Sequence, residues 1–152
     1  MIAVAVISLS SILMAADPVA PAATTQPAAG DKRVTATGLT ITEVRRGSAE
    51  EFSVKAGDRV WVHYAGRLEN GKEFDSSYKR GEAIDFVVGT GRVIKGWDEG
   101  IQGMKLGDKR LLVIPPALGY GDRAMGDVIP ANSTLIFDVE LVGVYRPSAG
   151  SR

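Results

Sequence analysis

Residues 93–104 read VIKGWDEGIQGM, and the fold turns on how this stretch is read. At about 100° per residue, Ile94, Trp97, Ile101 and Met104 fall on one arc, and Lys95, Asp98, Glu99 and Gln102 on a second. Gly96, Gly100 and Gly103 share a third. The spacing predicts a helix over 93–104. Each glycine costs such a helix about 0.5–1 kcal/mol relative to alanine, so the segment depends on packing against another element. A glycine arc permits close approach of two backbones, with Trp97 where helix and partner meet.

The partner is supplied by the segments on either side, which alternate with period two between glycine-rich turns. In GDRVWVHYAGRL, 57–68, Val60, Val62 and Tyr64 face one side and Trp61, His63 and Ala65 the other. The Asn70–Gly71 pair after this strand is a hairpin signal. Further strands are expected over 39–46, 84–88, 109–114 and 134–144, where LIFDVELVGV alternates cleanly. Only 93–104 reads as a helix of any length. The expected fold is therefore α+β, a curved, mostly antiparallel sheet wrapped around one short helix.

Composition narrows the function. The 152 residues suffice for one domain with a real core. Eighteen Lys and Arg balance eighteen Asp and Glu, which leaves no basic field for nucleic acid. Cysteine is absent, and with it thiolate chemistry, iron–sulfur clusters and cysteine-ligated zinc. His63 is the sole histidine and cannot anchor a typical zinc site alone. No metal or cofactor is expected.

At the N-terminus MIAVAVISLSSILMAA, 1–16, is uncharged, apolar and shorter than a bilayer span. It reads as a secretory signal peptide, although it has no basic n-region and Leu13 or Met14 stands where a small residue usually precedes cleavage. The alternative is an uncleaved hydrophobic anchor. Residues 17–32, rich in Ala, Pro and Thr, read as a linker. The body of the domain is expected over 33–145 and a polar tail over 146–152. On this reading the protein is secreted or periplasmic, without a stable membrane span once the signal is removed.

The usual catalytic sets are missing: no GxSxG elbow, Walker loop, HExxH or CxxC occurs, and GTGR at 89–92 is too short for a nucleotide loop. Asp75 has no second carboxylate at a fixed spacing. What remains is aromatic and aliphatic. Tyr64, Phe74, Phe86, Val93, Ile94, Trp97, Tyr120, Ile129 and Phe137 would line one pocket if the sheet curls round the helix. Singly, each reads as core.

Four stretches, VHYAGRLENGKEFDSSYKRG (62–81), FVVGTGRVIKGWDEGIQGMKLGDKR (86–110), IPPALGYGDR (114–123) and IPANSTLIFDVELVGV (129–144), together resemble the FKBP-type peptidyl-prolyl cis-trans isomerases. The likeness runs from about 38 to 144 with segment order and spacing kept. It implies catalytic positions at Tyr64, Phe74, Asp75, Trp97, Tyr120 and Phe137. Substrate-binding positions follow at Arg80, Ile84, Phe86, Val93, Ile94, Val128 and Ile129. Trp97 would floor the pocket beneath the substrate proline, the Ile94 N–H and the Tyr120 hydroxyl would donate to bound ligands, and 119–130 would form a rim. Proline-containing segments of folding proteins, and immunosuppressant macrolides, are the implied partners.

Two departures stand out. Ile84 occupies a position where many members carry an aromatic residue, and Met125 one where some carry histidine. Neither removes the pocket, but both bear on ligand affinity and on the residue preferred before proline. The rim is too short for an inserted chaperone domain. An isomerase of this kind needs no nucleophile, which fits the missing catalytic sets. A non-catalytic binder of proline segments, or a holdase chaperone, is the rival reading.

Overall fold

The computed structural model describes residues 30–47 and 52–148. The signal and most of the linker expected over 1–32, and the end of the tail, lie outside the described residues. Seven strands form one sheet: β1 (Lys32–Val34), β2 (Thr40–Arg45), β3 (Arg59–Leu68), β4 (Glu73–Ser76), β5 (Ile84–Val87), β6 (Lys109–Ile114) and β7 (Leu135–Tyr145). Two helices, α1 (Ser77–Arg80) and α2 (Lys95–Gly100), and a 3₁₀ turn at Pro116–Leu118 complete the described elements.

The strand order is β1-β2-β6-β7-β3-β4, with β5 also on β3, and every pairing is antiparallel. Long β3 and β7 pair along their whole length, from Arg59 opposite Tyr145 to Leu68 opposite Leu135. The other edge of β3 is shared: β4 pairs with its end near Gly66 and β5 with its start near Val60. The strands expected from alternation are therefore present, with ends shifted by a residue or two.

Alternation decides the core. Val60, Val62, Tyr64 and Leu68 of β3, Leu112 and Ile114 of β6, and Leu135, Phe137, Val139 and Leu141 of β7 are all buried on the concave face. Trp97, Ile101 and Met104 close that face from the helix side. The helix is shorter than 93–104. Ile94 has extended backbone at the N-cap, and Gly103 adopts a positive φ of 79°, so the regular turns are confined to Lys95–Gly100. Gly96 and Gly100 are buried against Ile114 and Leu112, whose side chains occupy the space a β-carbon would need. Two of the three glycines thus bring α2 onto β6, and the third ends the segment.

Three local features depart from the sequence expectations. β1 begins at Lys32, inside the range read as linker, and pairs with β2. β4 runs straight into α1, whose last turn closes on Gly81 with φ 70°. Arg146, placed in the polar tail, is anchored: it donates to both carboxylate oxygens of Asp58 at 2.7 Å, to the Ser53 carbonyl at 2.9 Å, and lies 4.1 Å over the Phe52 ring. That guanidinium holds the Asp58 carboxyl below its ordinary range, against its burial.

Candidate active site

A cleft of about 400 Å³ opens between α2 and the concave face, lined by Tyr64, Asp75, Ile84, Gly91, Arg92, Val93, Ile94, Trp97, Tyr120 and Phe137. They come from separate parts of the chain. β3 contributes Tyr64, β4 Asp75, β5 Ile84 and β7 Phe137, while the 91–94 strap and α2 supply the side nearest Trp97. A curved sheet brings these inward-facing positions together because side chains of alternating strand residues converge on the concave side.

Trp97 is the hub. Its ring centroid lies 5.0 Å from Tyr64 and 5.2 Å from Phe137, both near perpendicular, and 5.9 Å from Phe86. Edge-to-face contacts of this kind add about 0.5–1.5 kcal/mol each beyond area burial and fix the indole plane. Its Nε1 is buried and has no hydrogen-bond acceptor among the described residues.

Eight of the thirteen residues implied by the resemblance line this cleft. Phe74 and Phe86 stand behind it: Phe74 packs edge-on to Phe137 at 5.4 Å, and Phe86 backs Trp97. Arg80 supports Tyr64 and Asp75 and lines a neighbouring cavity with Ile84. Ile129 is buried in the rim, bridged to Met125, and Val128 is exposed; neither lines the cleft.

The polar wall is a closed triad. The Tyr64 hydroxyl donates to Asp75 Oδ2, Arg80 donates to Asp75 Oδ1, and Arg80 Nη2 donates to the Tyr64 oxygen at 2.8 Å. Burial pushes the Asp75 carboxyl up, but the hydrogen bonds from Tyr64 and Arg80 and the Arg80 charge outweigh it, and the net displacement is downward. Burial, followed by the hydrogen bond to Asp75, pushes the Tyr64 phenol up. At neutral pH the wall therefore holds a carboxylate with both oxygens engaged and a neutral phenol, and neither is free to act as a base.

Two donors of the lining residues are uncommitted. The Ile94 carbonyl accepts from the N–H groups of Trp97 and Asp98, whereas its own N–H and the Tyr120 hydroxyl make no hydrogen bond among the described residues. Sequence reading missed Gly91 and Arg92. The only signal was GTGR at 89–92, rejected as a nucleotide loop; it is instead a strap. The Asp98 carboxylate accepts from Gly89 N–H at 2.9 Å and Gly91 N–H at 3.0 Å and pins it beside α2.

A model of the family described as FKBP-type peptidyl-prolyl cis-trans isomerase matches residues 50–142. The chain belongs to this family. It is similar to FK506-binding protein 1A of Neurospora crassa, 58% identical over 113 residues that cover 74% of this chain and 93% of that protein. It is also similar to peptidyl-prolyl cis-trans isomerase FPR2 of Saccharomyces cerevisiae, 53% identical over 109 residues, covering 70% and 81%. Among solved structures, AtFKBP13 matches with TM-score 0.68 and 42% identity, over 76% of this chain and 99% of that one. FkpA from Escherichia coli matches with the same TM-score and 46% identity, but the aligned part is 52% of its chain. The protein is thus an FKBP-type isomerase, active on the peptide bond before proline. Its fold is the family's curved antiparallel sheet with short helices.

Proposed function

We propose that isomerisation takes place in the Trp97 cleft, by binding the twisted amide more tightly than the planar one. Rotation about the peptide bond faces a barrier of about 18–20 kcal/mol because resonance must be broken. In the twisted state the amide is less dipolar, so an apolar site favours it relative to water. The proline ring sits on Trp97 between Tyr64, Val93 and Phe137. The Ile94 N–H and the Tyr120 hydroxyl hold the flanking chain. Asp75 and Arg80 act through Tyr64, keeping its ring in place. The observation that supports this most is the pairing of an aromatic cleft with two donors that have no partner among the described residues.

Ile84 lines the cleft where an aromatic residue is common in the family, and its smaller side chain leaves room for a larger residue before proline. Relatives named for FK506 binding support the same cleft as a macrolide site here. Secretion or a periplasmic location rests on the apolar stretch at 1–16, and fractionation of a tagged full-length chain tests it.

The deciding experiment is an isomerisation assay on short Xaa–Pro peptides with the parent, Trp97→Ala and Tyr120→Phe. Trp97→Ala removes a buried ring at a cost of about 3–5 kcal/mol, so its folded fraction must be measured. Tyr120→Phe deletes one hydroxyl and is the cleaner variant. Loss of a hydrogen bond worth about 0.5–1.5 kcal/mol lowers kcat/KM roughly two- to tenfold. Unchanged turnover in Tyr120→Phe and in folded Trp97→Ala would place the reaction elsewhere.

A further inference from the structure

Beside the main cleft lies a smaller cavity of about 220 Å³, lined by Arg59, Asp85, Phe86, Val87 and Arg92. Arg92 lines both, so the two cavities share this residue.

The acids around it are already engaged. Asp85 accepts from Arg59 Nε at 2.8 Å and from Arg59 Nη2, Asp75 is held by Tyr64 and Arg80, and both oxygens of Asp98 take backbone N–H groups. Arg59 is further fixed with its guanidinium 5.5 Å over the Trp61 ring. Arg92 is exposed and makes no ion pair or side-chain hydrogen bond among the described residues. The small cavity thus sets two guanidinium groups against one carboxylate, and the excess positive charge belongs to Arg92. The strap that carries it is clamped by Asp98, so the backbone from which the guanidinium projects stands at a defined place relative to the cleft.

We propose that Arg92 makes this isomerase select substrates with an aspartate or glutamate close to the proline, the acidic side chain seated in the small cavity between Arg92 and the Arg59–Asp85 pair. The proposal rests on the proline occupying the Trp97 cleft. A guanidinium fork matches a carboxylate in two parallel hydrogen bonds. The low-dielectric wall of Phe86 on one side strengthens the attraction relative to open water. Partial exposure keeps the gain modest and dependent on ionic strength.

The test uses Xaa–Pro peptides of fixed neutral Xaa, with Glu, Gln or Lys placed at each neighbouring position before and after that pair. Turnover is followed by NMR exchange, which avoids the sequence preference of a coupling protease. The readout is the ratio of kcat/KM for the Glu and Gln peptides within one enzyme, so changes in absolute turnover cancel. At one position or more the parent gives a ratio of about two to five at low salt, falling towards one at about 0.5 M salt. Arg92→Gln brings the ratio to one, Arg92→Lys keeps part of it, and Arg92→Glu shifts preference to the Lys peptide. A parent ratio of one at every position, or a raised ratio that survives in Arg92→Gln, overturns the proposal. If Tyr120→Phe still lowers turnover of the Gln peptide in that case, the cleft stands and only the acidic subsite falls.

Discussion

A β-carbon on Gly96 would stand 2.6 Å from Cγ2 of Ile114, with two further Ile114 atoms within 2.9 Å. The helix that bears Trp97 is therefore seated on β6 by the absence of a side chain. Alanine at 96 raises helix propensity by about 0.5–1 kcal/mol, yet overpacking a filled core costs about 1–3 kcal/mol. Gly96→Ala is expected to lower the urea midpoint, and Gly96→Ala with Ile114→Val to recover much of the loss. A stabilised Gly96→Ala would show that α2 has slack against the sheet.

The clamp between Asp98 and the strap carries a kinetic consequence. Asp98→Ala frees the Gly89 and Gly91 N–H groups and leaves the strap without its side-chain tie to α2, so that Ile94 is held only by the bonds its carbonyl accepts from Trp97 and Asp98. Positioning of the Ile94 N–H then loosens, and kcat/KM is expected to drop several-fold while the melting temperature falls by only a few degrees. Asp98→Asn keeps one carbonyl acceptor and is expected to lie between parent and Asp98→Ala. Equal activity in all three proteins would remove Asp98 from any positioning role.

Tyrosine ionisation offers a pH test with a definite sign. Burial, and then the hydrogen bond to Glu140, push the Tyr78 hydroxyl from 10.0 up to about 12, and burial also raises Tyr64. A group whose folded pKa is raised stabilises fully below its unfolded value and loses that contribution as pH climbs through the folded one. Stability is thus expected to fall between pH 10 and about 12, and Tyr78→Phe to flatten that limb. Near-ultraviolet titration of the folded protein is expected to show two phenols ionising later than they do after denaturation.

Acid has the opposite sign. Asp75 is displaced below 3.8, with burial opposing and the Tyr64 and Arg80 hydrogen bonds prevailing. Its contribution is complete above 3.8 and disappears as pH falls through the lowered folded value. Asp75→Asn is expected to remove that part of the acid limb, measured as the unfolding midpoint against pH. Tyr64→Phe, which deletes one donor to the carboxylate, is expected to shift the limb towards higher pH.

Much of this architecture was legible because period-two alternation and burial are the same fact seen twice. Val60, Val62 and Tyr64, or Leu135, Phe137 and Val139, announce their shared face in the sequence. The aromatic members of the cleft were recognisable as a set through the family likeness, although Phe74, Phe86, Arg80 and Ile129 support the cleft without lining it. What stayed hidden were relationships without a local period. The Asp98 clamp joins a helix side chain to backbone amides, and Arg92 earns its place only once the strap is folded back. Arg146 reads as tail until Asp58 and Phe52 are brought beside it. Short β4 and α1 lack the length for any pattern to show.

Least visible of all is Glu43, fully buried on β2 and joined to Arg110 across 67 residues of sequence. Its Oε1 accepts from Arg110 Nε at 2.9 Å and from Arg33 at 3.0 Å, and Arg110 Nη1 donates to the carbonyls of Gly100 and Gln102 at 2.8 Å each. One guanidinium therefore ties the last turn of α2 to the sheet. Arg110→Met leaves Glu43 buried with reduced compensation, and breaking such a pair costs about 3–5 kcal/mol. The double variant Glu43→Gln with Arg110→Met removes the under-compensated buried charge, so it is expected to be more stable than Arg110→Met alone in urea. Arg110→Lys separates the second role from the first: it keeps the charge beside Glu43 but lacks the fork that reaches both carbonyls. If the tie to α2 sets the Trp97 floor, Arg110→Lys folds yet isomerises Xaa–Pro peptides more slowly, and its tryptophan emission shifts. A folded Arg110→Lys with parental turnover and emission would confine Arg110 to neutralising Glu43.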